Sequence, residues 1–388
     1  MAQPKEHAMG YDATLIGGNP GDHMGLYHAV RFGCHDAGAY LRFEQTGETV
    51  FIVRDIELLR AREQARADRV YAPAELAPAG GLSKDRDTGV AQAVAECLRR
   101  GGASRVRVDR ATPMLFAHVL MGSGFEVVCD PDLGAAERRA KDEQEVAWLT
   151  EAQAATEEVM RLACETIARA SPGPDGSLSL DGAALTSERV RAMIDVRLLE
   201  LGYSNGDCVV AGGVHGADPH ERGSGVLRTA EAVVIDIFPR NKRTLYNGDC
   251  TRCVVNGEVP DAITRMHAAV VEAKAAGIAR ASAGTPAGDL HADVVSVIEK
   301  HGFAFRRPGI EGTGAAMLHG TGHGIGLDVH EPPLLDEGQG PLIAGDAVTI
   351  EPGLYDPAIG GIRIEDMVIV TEDGAMNLNS LPEGLGWA

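Results

Sequence analysis

The sequence predicts an α/β protein of two domains, on three observations. At a typical size of about 150 residues per domain, 388 residues exceed any lone small module. Up to about residue 135, short β-rich runs alternate with helical ones. Beyond that point, two helices followed by strands occur twice, which suggests a duplicated scaffold with its site built between the halves.

In the first domain, taken as residues 1–135, strands are expected at 13–16, 39–43, 49–53, 105–108 and 125–128, and helices at 56–66 and 89–100. Strands separated by helices predict a parallel or mixed sheet. Gly101-Gly102 stops the second helix, and Pro131-Asp-Leu-Gly134 breaks the chain before a densely charged stretch. The second domain is taken as residues 137–388. Its first helix is expected from 143 to about 170, with Val146, Leu149, Val159, Leu162 and Ile167 at helical spacing before Ser171-Pro-Gly-Pro174. The next, 187–201, places Val190, Ile194, Leu198 and Leu201 on one face and stops at Gly202. Helices at 262–283 and 290–301 repeat the order and lead into the final strands.

With 44% apolar and 24% charged residues the composition is that of a globular protein. Thirty-six Lys and Arg against 56 Asp and Glu give a net charge of −20, a field that repels phosphate backbones and anionic headgroups. Aromatics at 4% argue further against base stacking. Neither nucleic acid nor membrane is therefore expected as a partner. The first twelve residues carry Lys5, Glu6 and Asp12 and lack the apolar core of a secretory signal. Seven scattered cysteines suit reduced thiols, so the expected compartment is the cytoplasm. Cys250 and Cys253 have zinc-knuckle spacing but no second pair or histidine partner, and are expected to pack as small hydrophobes.

The chemistry is concentrated in the second domain. Ala232-Val-Val-Ile-Asp236 is a buried-strand pattern ending in a carboxylate, and Asp249-Cys-Thr-Arg252 opens the strand expected to pair with it, so that the two aspartates face each other across a hairpin. Ala347-Val-Thr-Ile-Glu351-Pro-Gly and Gly361-Ile-Arg-Ile-Glu365-Asp form a second pair, in which alternation puts Arg363 and Glu365 on one face. Between the pairs lies His319-Gly-Thr-Gly-His323-Gly-Ile-Gly-Leu-Asp-Val-His330-Glu, three histidines among glycines that let backbones approach closely. Any one of these residues alone reads as a surface acid or a packed histidine. Four carboxylates converging on apolar strands instead demand cations, and a pair of divalent ions about 3.5–4 Å apart can share and activate one water.

These strings, in this order, resemble the pita-bread metallopeptidases, which include Xaa-Pro aminopeptidase, prolidase and methionine aminopeptidase, with creatinase as a metal-free relative. The resemblance covers roughly residues 137–388, and Arg138-Arg-Ala-Lys-Asp-Glu-Gln-Glu145 is similar to the start of that catalytic domain. The first domain resembles, more weakly, the creatinase-type N-terminal domain. The resemblance implies a pita-bread domain of pseudo-twofold ααββ halves and two divalent metal ions, manganese foremost, with cobalt, zinc and iron compatible with the same ligands. It implies Asp236 as ligand to one metal, Asp249 and Glu365 as bridges, and His323 with Glu351 at the other. Glu351 would also take the proton of a metal-bridging hydroxide's parent water. His220 would hydrogen-bond substrate, His330 would stabilise the tetrahedral intermediate, His319 would line the substrate pocket, and Arg363 would orient carboxylates.

The activity implied is hydrolysis of a peptide bond near the N-terminus of Xaa-Pro peptides or dipeptides, by a homodimer or larger homo-oligomer. The substantial N-terminal domain and Leu327-Asp-Val-His330-Glu-Pro-Pro333 favour the proline-directed branch. The alternatives are a metal-free creatinase-type amidinohydrolase and a non-catalytic binding scaffold, and retention of all five ligand types argues against both. The gap between the two aspartates is two residues longer than the family pattern, and Phe238 stands where the family has glycine. An insertion of two preserves strand alternation. Arg252 is expected as an ion-pair partner, and His35 and His215 as ordinary histidines.

Overall fold

The computed structural model describes residues 10–307 and 313–387. Most of the N-terminal stretch read for a secretory signal lies outside them. The chain divides into two compact units, Met1–Arg138 and Arg139–Ala388.

The first unit is built on a six-stranded sheet of β1 (Ala13–Gly18), β2 (Gly38–Phe43), β3 (Thr49–Ile52), β4 (Arg69–Tyr71), β5 (Arg105–Asp109) and β6 (Glu126–Asp130), in the order β4-β3-β2-β1-β5-β6. It is mixed: β1 and β5, β5 and β6, and β3 and β4 run parallel, while β2 runs antiparallel to both β1 and β3. Helix Arg86–Arg100 buries Val90, Val94 and Leu98 against it, begins at an Asp85 cap and ends at Gly101. The helix expected at 56–66 is a 3-10 turn, Asp55–Glu57, followed by Leu58–Gln64. Helices Met24–Val30 and Met114–Gly122 and strand β4 are additional to the sequence reading.

The second unit repeats one plan. Helices Glu143–Ala168 and Ser187–Glu200 pack on a sheet of Val209–Gly212, Ala232–Ile237 and Cys250–Val255. Helices Asp261–Arg280 and Ala287–Lys300 then cover two sheets that contain Gly322–Gly324, Ala347–Ile350, Gly353–Asp356, Gly360–Arg363 and Asp366–Thr371. The first helix starts in a reciprocal cap: Asp142 accepts from the Glu145 backbone N–H at 2.8 Å and Glu145 accepts from that of Asp142 at 2.9 Å. Its inner stripe includes Leu149, Val159 and Ile167, whereas Leu162, placed on that stripe by spacing, is exposed. Cys250 and Cys253 pack in the core, and all seven cysteines are free. Among the described residues no helix is long and apolar enough to cross a membrane.

A buried ionic cluster ties this unit together. Arg252, 1% exposed, donates to Asp366 at 2.7 Å and to the carbonyls of Thr251, Glu365, Leu381 and Pro382. Lys274 pairs with both Asp366 and Glu383. Burial acts to raise the Asp366 carboxyl, but the two cations outweigh it and hold the group below its ordinary range. Arg252→Met strands part of that charge, and a loss of about 3–5 kcal/mol in stability is expected in chemical denaturation. A loss below ~1 kcal/mol would show that the cluster is already balanced without the guanidinium.

Candidate metal centre

Residues at or beside strand ends in both halves, together with His323 within a strand, make up the candidate site. Asp236 is the penultimate residue of strand Ala232–Ile237, and its partner across the ladder is Thr251. Asp249 precedes strand Cys250–Val255 and stands two residues along from that partner, with the same alternation parity. The direct opposition of the two aspartates expected from the sequence is therefore replaced by a diagonal relation. The reason lies in the connection, which is no simple hairpin: Arg240–Asn241 pairs with Tyr203–Ser204, and Arg240 also bridges to Asn247.

Asp249 is fixed by Gln153, whose amide donates to the Asp249 carbonyl at 2.7 Å and accepts from its N–H at 3.0 Å. Glu365 follows strand Gly360–Arg363 and accepts from the Thr251 hydroxyl at 2.8 Å. Ile362 and Ile364 point the other way into the core. His323 lies mid-strand, where Gly322 brings the backbone so close to Thr349 that a Cβ would collide with its carbonyl. Ligand atoms of Asp249, His323 and Glu365 all lie within 4.8 Å of one another, and all three residues are buried. His323 Nε2 is 3.7 Å from Asp249 Oδ2 and 3.5 Å from Glu351 Oε1.

The protonation pattern suits a cation. His323 Nδ1 faces the Gly324 carbonyl at 3.1 Å and so carries the proton, leaving the Nε2 lone pair toward the carboxylates. Burial, aided by His330, pushes its pKa down to about 4, so the ring is neutral. Burial likewise raises the Asp249 and Glu365 carboxyls well above their ordinary range, each reinforced by neighbouring carboxylates. Glu351 is pushed up to about 8 by burial, with Arg363 opposing and Asp236 adding to the rise. Asp236 Oδ1 is buried with no hydrogen-bond partner among the described residues. Acceptors facing acceptors, with an orphaned oxygen beside them, form a donor set that fits a divalent ion.

Arg363 spans the centre. It pairs with Asp236 Oδ2 at 2.6 Å, approaches Glu351 at 4.0 Å, and donates to the Tyr355 hydroxyl at 2.9 Å and the Pro219 carbonyl at 3.3 Å. Tyr355 in turn lies 2.7 Å from His319 Nε2, while His319 Nδ1 faces the Gly320 carbonyl. Burial, with Arg363 as a second contributor, lowers the His319 pKa to about 4, so Tyr355 donates to the bare Nε2. The His330 ring packs edge-on to His323 at 4.3 Å, and its pKa is lowered by burial. His220 is exposed on the loop after Gly213–Ala217, within electrostatic range of His319 and His330.

The sequence reading missed Tyr355, Thr251 and Gln153. Thr251 was accessible, since it shares parity with Asp249 in Asp-Cys-Thr-Arg. Tyr355 had a weaker signal, parity with Glu351 across Gly353, a residue at which a Cβ would collide with the Tyr355 ring. Gln153 comes from a distant helix and had none.

The profile of metallopeptidase family M24 matches residues 147–372, more than half of the chain. The chain belongs to metallopeptidase family M24. It is 36% identical over 203 residues to the probable dipeptidase PepE of Mycobacterium tuberculosis, covering 52% of this chain and 51% of that protein. To the Xaa-Pro dipeptidase of Pyrococcus furiosus it is 33% identical over 174 residues, 44% of this chain and 47% of that one. The chain thus spans about half the length of the curated relatives it matches. Among solved structures, the Xaa-Pro dipeptidase from Bacillus anthracis superposes with a TM-score of 0.78 at 25% identity, covering 97% of this chain and 94% of that one. The X-Pro aminopeptidase from Thermotoga maritima, at 23% identity, has the same TM-score over 96% of this chain and 97% of its own. The M24 fold of this chain is accordingly the pita-bread architecture of prolidases and aminopeptidase P.

Proposed function

We propose that this M24 chain hydrolyses the peptide bond preceding proline in short Xaa-Pro peptides, using two divalent cations, manganese foremost. Asp236, Asp249, His323, Glu351 and Glu365 would hold the ions, with Asp249 and Glu365 shared between them. The observation that carries the reading is the convergence of His323 Nε2 with the carboxyl groups of Asp249, Glu351 and Glu365. When bound, such ions lower the pKa of water and polarise a carbonyl.

The chain's own residues do the rest. Glu351 accepts a proton at its carboxylate and returns it to the departing nitrogen, a role suited to a carboxyl whose burial makes it unusually basic. His330 and His220 donate hydrogen bonds to the developing oxyanion. Arg363 holds Asp236 and Tyr355 in place, and Tyr355 fixes the tautomer of His319 at the substrate pocket. The seven free cysteines accord with a reducing cytoplasm, and the resemblance favours a homodimer or larger homo-oligomer.

The test is an assay of manganese-loaded protein on an Xaa-Pro dipeptide, an Xaa-Pro-Xaa tripeptide, a Met-initiated peptide and creatine. Turnover of either proline substrate is expected to exceed that of the other two by at least ~10²-fold. Turnover confined to creatine or to the Met-initiated peptide removes the proposal.

A further inference from the structure

The charged segment Arg138–Glu145 has no part in the chemistry above, yet its side chains reach the loops that carry the site. Arg139 pairs with Asp346 at 2.6 Å, and Glu145 accepts from the Tyr246 hydroxyl in the turn leading to Asp249. Lys141 goes deepest. Its ammonium lies 3.1 Å from Glu331 Oε2, and the two side chains are 2% and 1% exposed. The backbone is anchored as well, with the Lys141 N–H donating to the Gly345 carbonyl at 3.0 Å.

Glu331 is the residue after His330. Its second oxygen accepts from the Asp328 N–H at 3.0 Å, so the carboxylate closes the loop 326–331 on itself while Lys141 holds that carboxylate from outside. Gly326 completes the fit: a Cβ there would sit 2.9 Å from both Glu331 Oε2 and Lys141 Cε. Its carbonyl accepts from both the backbone and the side-chain amide of Asn247. The loop is therefore pinned at its first residue by Asn247 and at its last by Lys141, and His330 lies inside the pinned interval. A buried ion pair is a poor source of net stability but a demanding geometric constraint.

We propose that Lys141 is a positioning residue that, through its buried pair with Glu331, sets the place and orientation of the His330 ring. This rests on the reading of His330 as an oxyanion donor. Displacement by a fraction of an ångström to one ångström weakens a hydrogen bond made in the transition state more than it weakens ground-state binding.

Two variants test it: Lys141→Met, which leaves Glu331 buried without this cation, and the paired Lys141→Met/Glu331→Met, which removes both charges and decides the matter if the first fails to fold. Each is measured for kcat and KM on an Xaa-Pro dipeptide and for the ring-proton NMR signals of His330, assigned by comparison with His330→Asn. Expected are a fall in kcat of about 10- to 100-fold with KM changed by less than about threefold, and a displaced or broadened His330 signal. Loss of kcat of under about threefold with an unshifted His330 signal in the paired variant overturns the proposal. So does a fall in kcat with the His330 signal unmoved, since the effect would then run by another route. Failure of the wild-type protein to cleave any Xaa-Pro peptide sinks the proposed function instead, and the His330 signal still decides whether Lys141 fixes the ring.

Discussion

Glu351→Gln is expected to lower kcat on an Xaa-Pro dipeptide by about 10²–10⁴-fold, the usual contribution of a positioned general base. The substitution keeps shape and most packing while replacing an oxygen that takes a proton with an amide that cannot. It also removes the carboxylate nearest His323 Nε2, 3.5 Å away, so weaker retention of one metal ion should accompany the loss. Elemental analysis separates the two effects. Turnover that stays low when metal is saturating identifies the proton transfer, whereas full recovery in excess manganese assigns Glu351 a ligand's role alone. Unchanged kcat in the Glu351→Gln variant would remove Glu351 as base altogether. Compared without metal, the variant should be no less stable than the parent, because a neutral amide replaces a carboxyl that ionises only reluctantly.

The second large effect is on stability. Asp249, Glu351 and Glu365 all have folded-state pKa values raised above those of the unfolded chain, chiefly by burial. Between the ordinary carboxylate range and about 8, the metal-free folded chain therefore holds more protons than the unfolded chain. The sign follows: stability from these groups is fully present below the unfolded pKa and is lost as pH rises through the folded one. Chelator-treated protein should melt ~5–10 °C lower near pH 8 than near pH 5, with the fall largely abolished by manganese, which takes the proton's place as counter-charge. A metal-free protein equally stable at both values, and indifferent to manganese, would falsify the account of a carboxylate cluster held together by cations. His323 and His319 work in the opposite sense between about 6.5 and 4, where burial keeps both neutral while the unfolded chain takes up protons, so they offset part of the carboxyl contribution near pH 5.

Much of this centre was legible in the sequence because its parts are local. Asp236, Glu351 and Glu365 sit at the ends of short apolar runs, where strand alternation dictates which side chains turn together. The glycines around His323 announce backbone contact, and the contact with Thr349 is what they permit. Elsewhere local signals were weak or absent. Helix Met24–Val30 is seven residues long and capped by a histidine, whose ring nitrogen accepts from the Leu26 N–H, instead of by the usual short polar residues. Helix Met114–Gly122 is apolar nearly all round, which erases the period that would reveal it. The diagonal placement of Asp249 depends on the pairing of the intervening segment with Tyr203–Ser204, a relation between residues far apart in the chain. Tyr355, Gln153 and Lys141 share that limitation, since each acts through a partner that only the folded backbone brings near.

Glu365 and Asp366 are neighbours with opposite surroundings. One faces the Asp249 carboxyl and His323, while the other is clasped by Arg252 and Lys274. The peptide bond between them is thus a frontier separating a titratable compartment from one whose anion is permanently matched. Sliding the chain across it by a single residue would exchange the two, delivering the wrong acid to each side. Phase matters at this point as much as residue type, because an insertion or deletion of one residue would disturb both compartments at once.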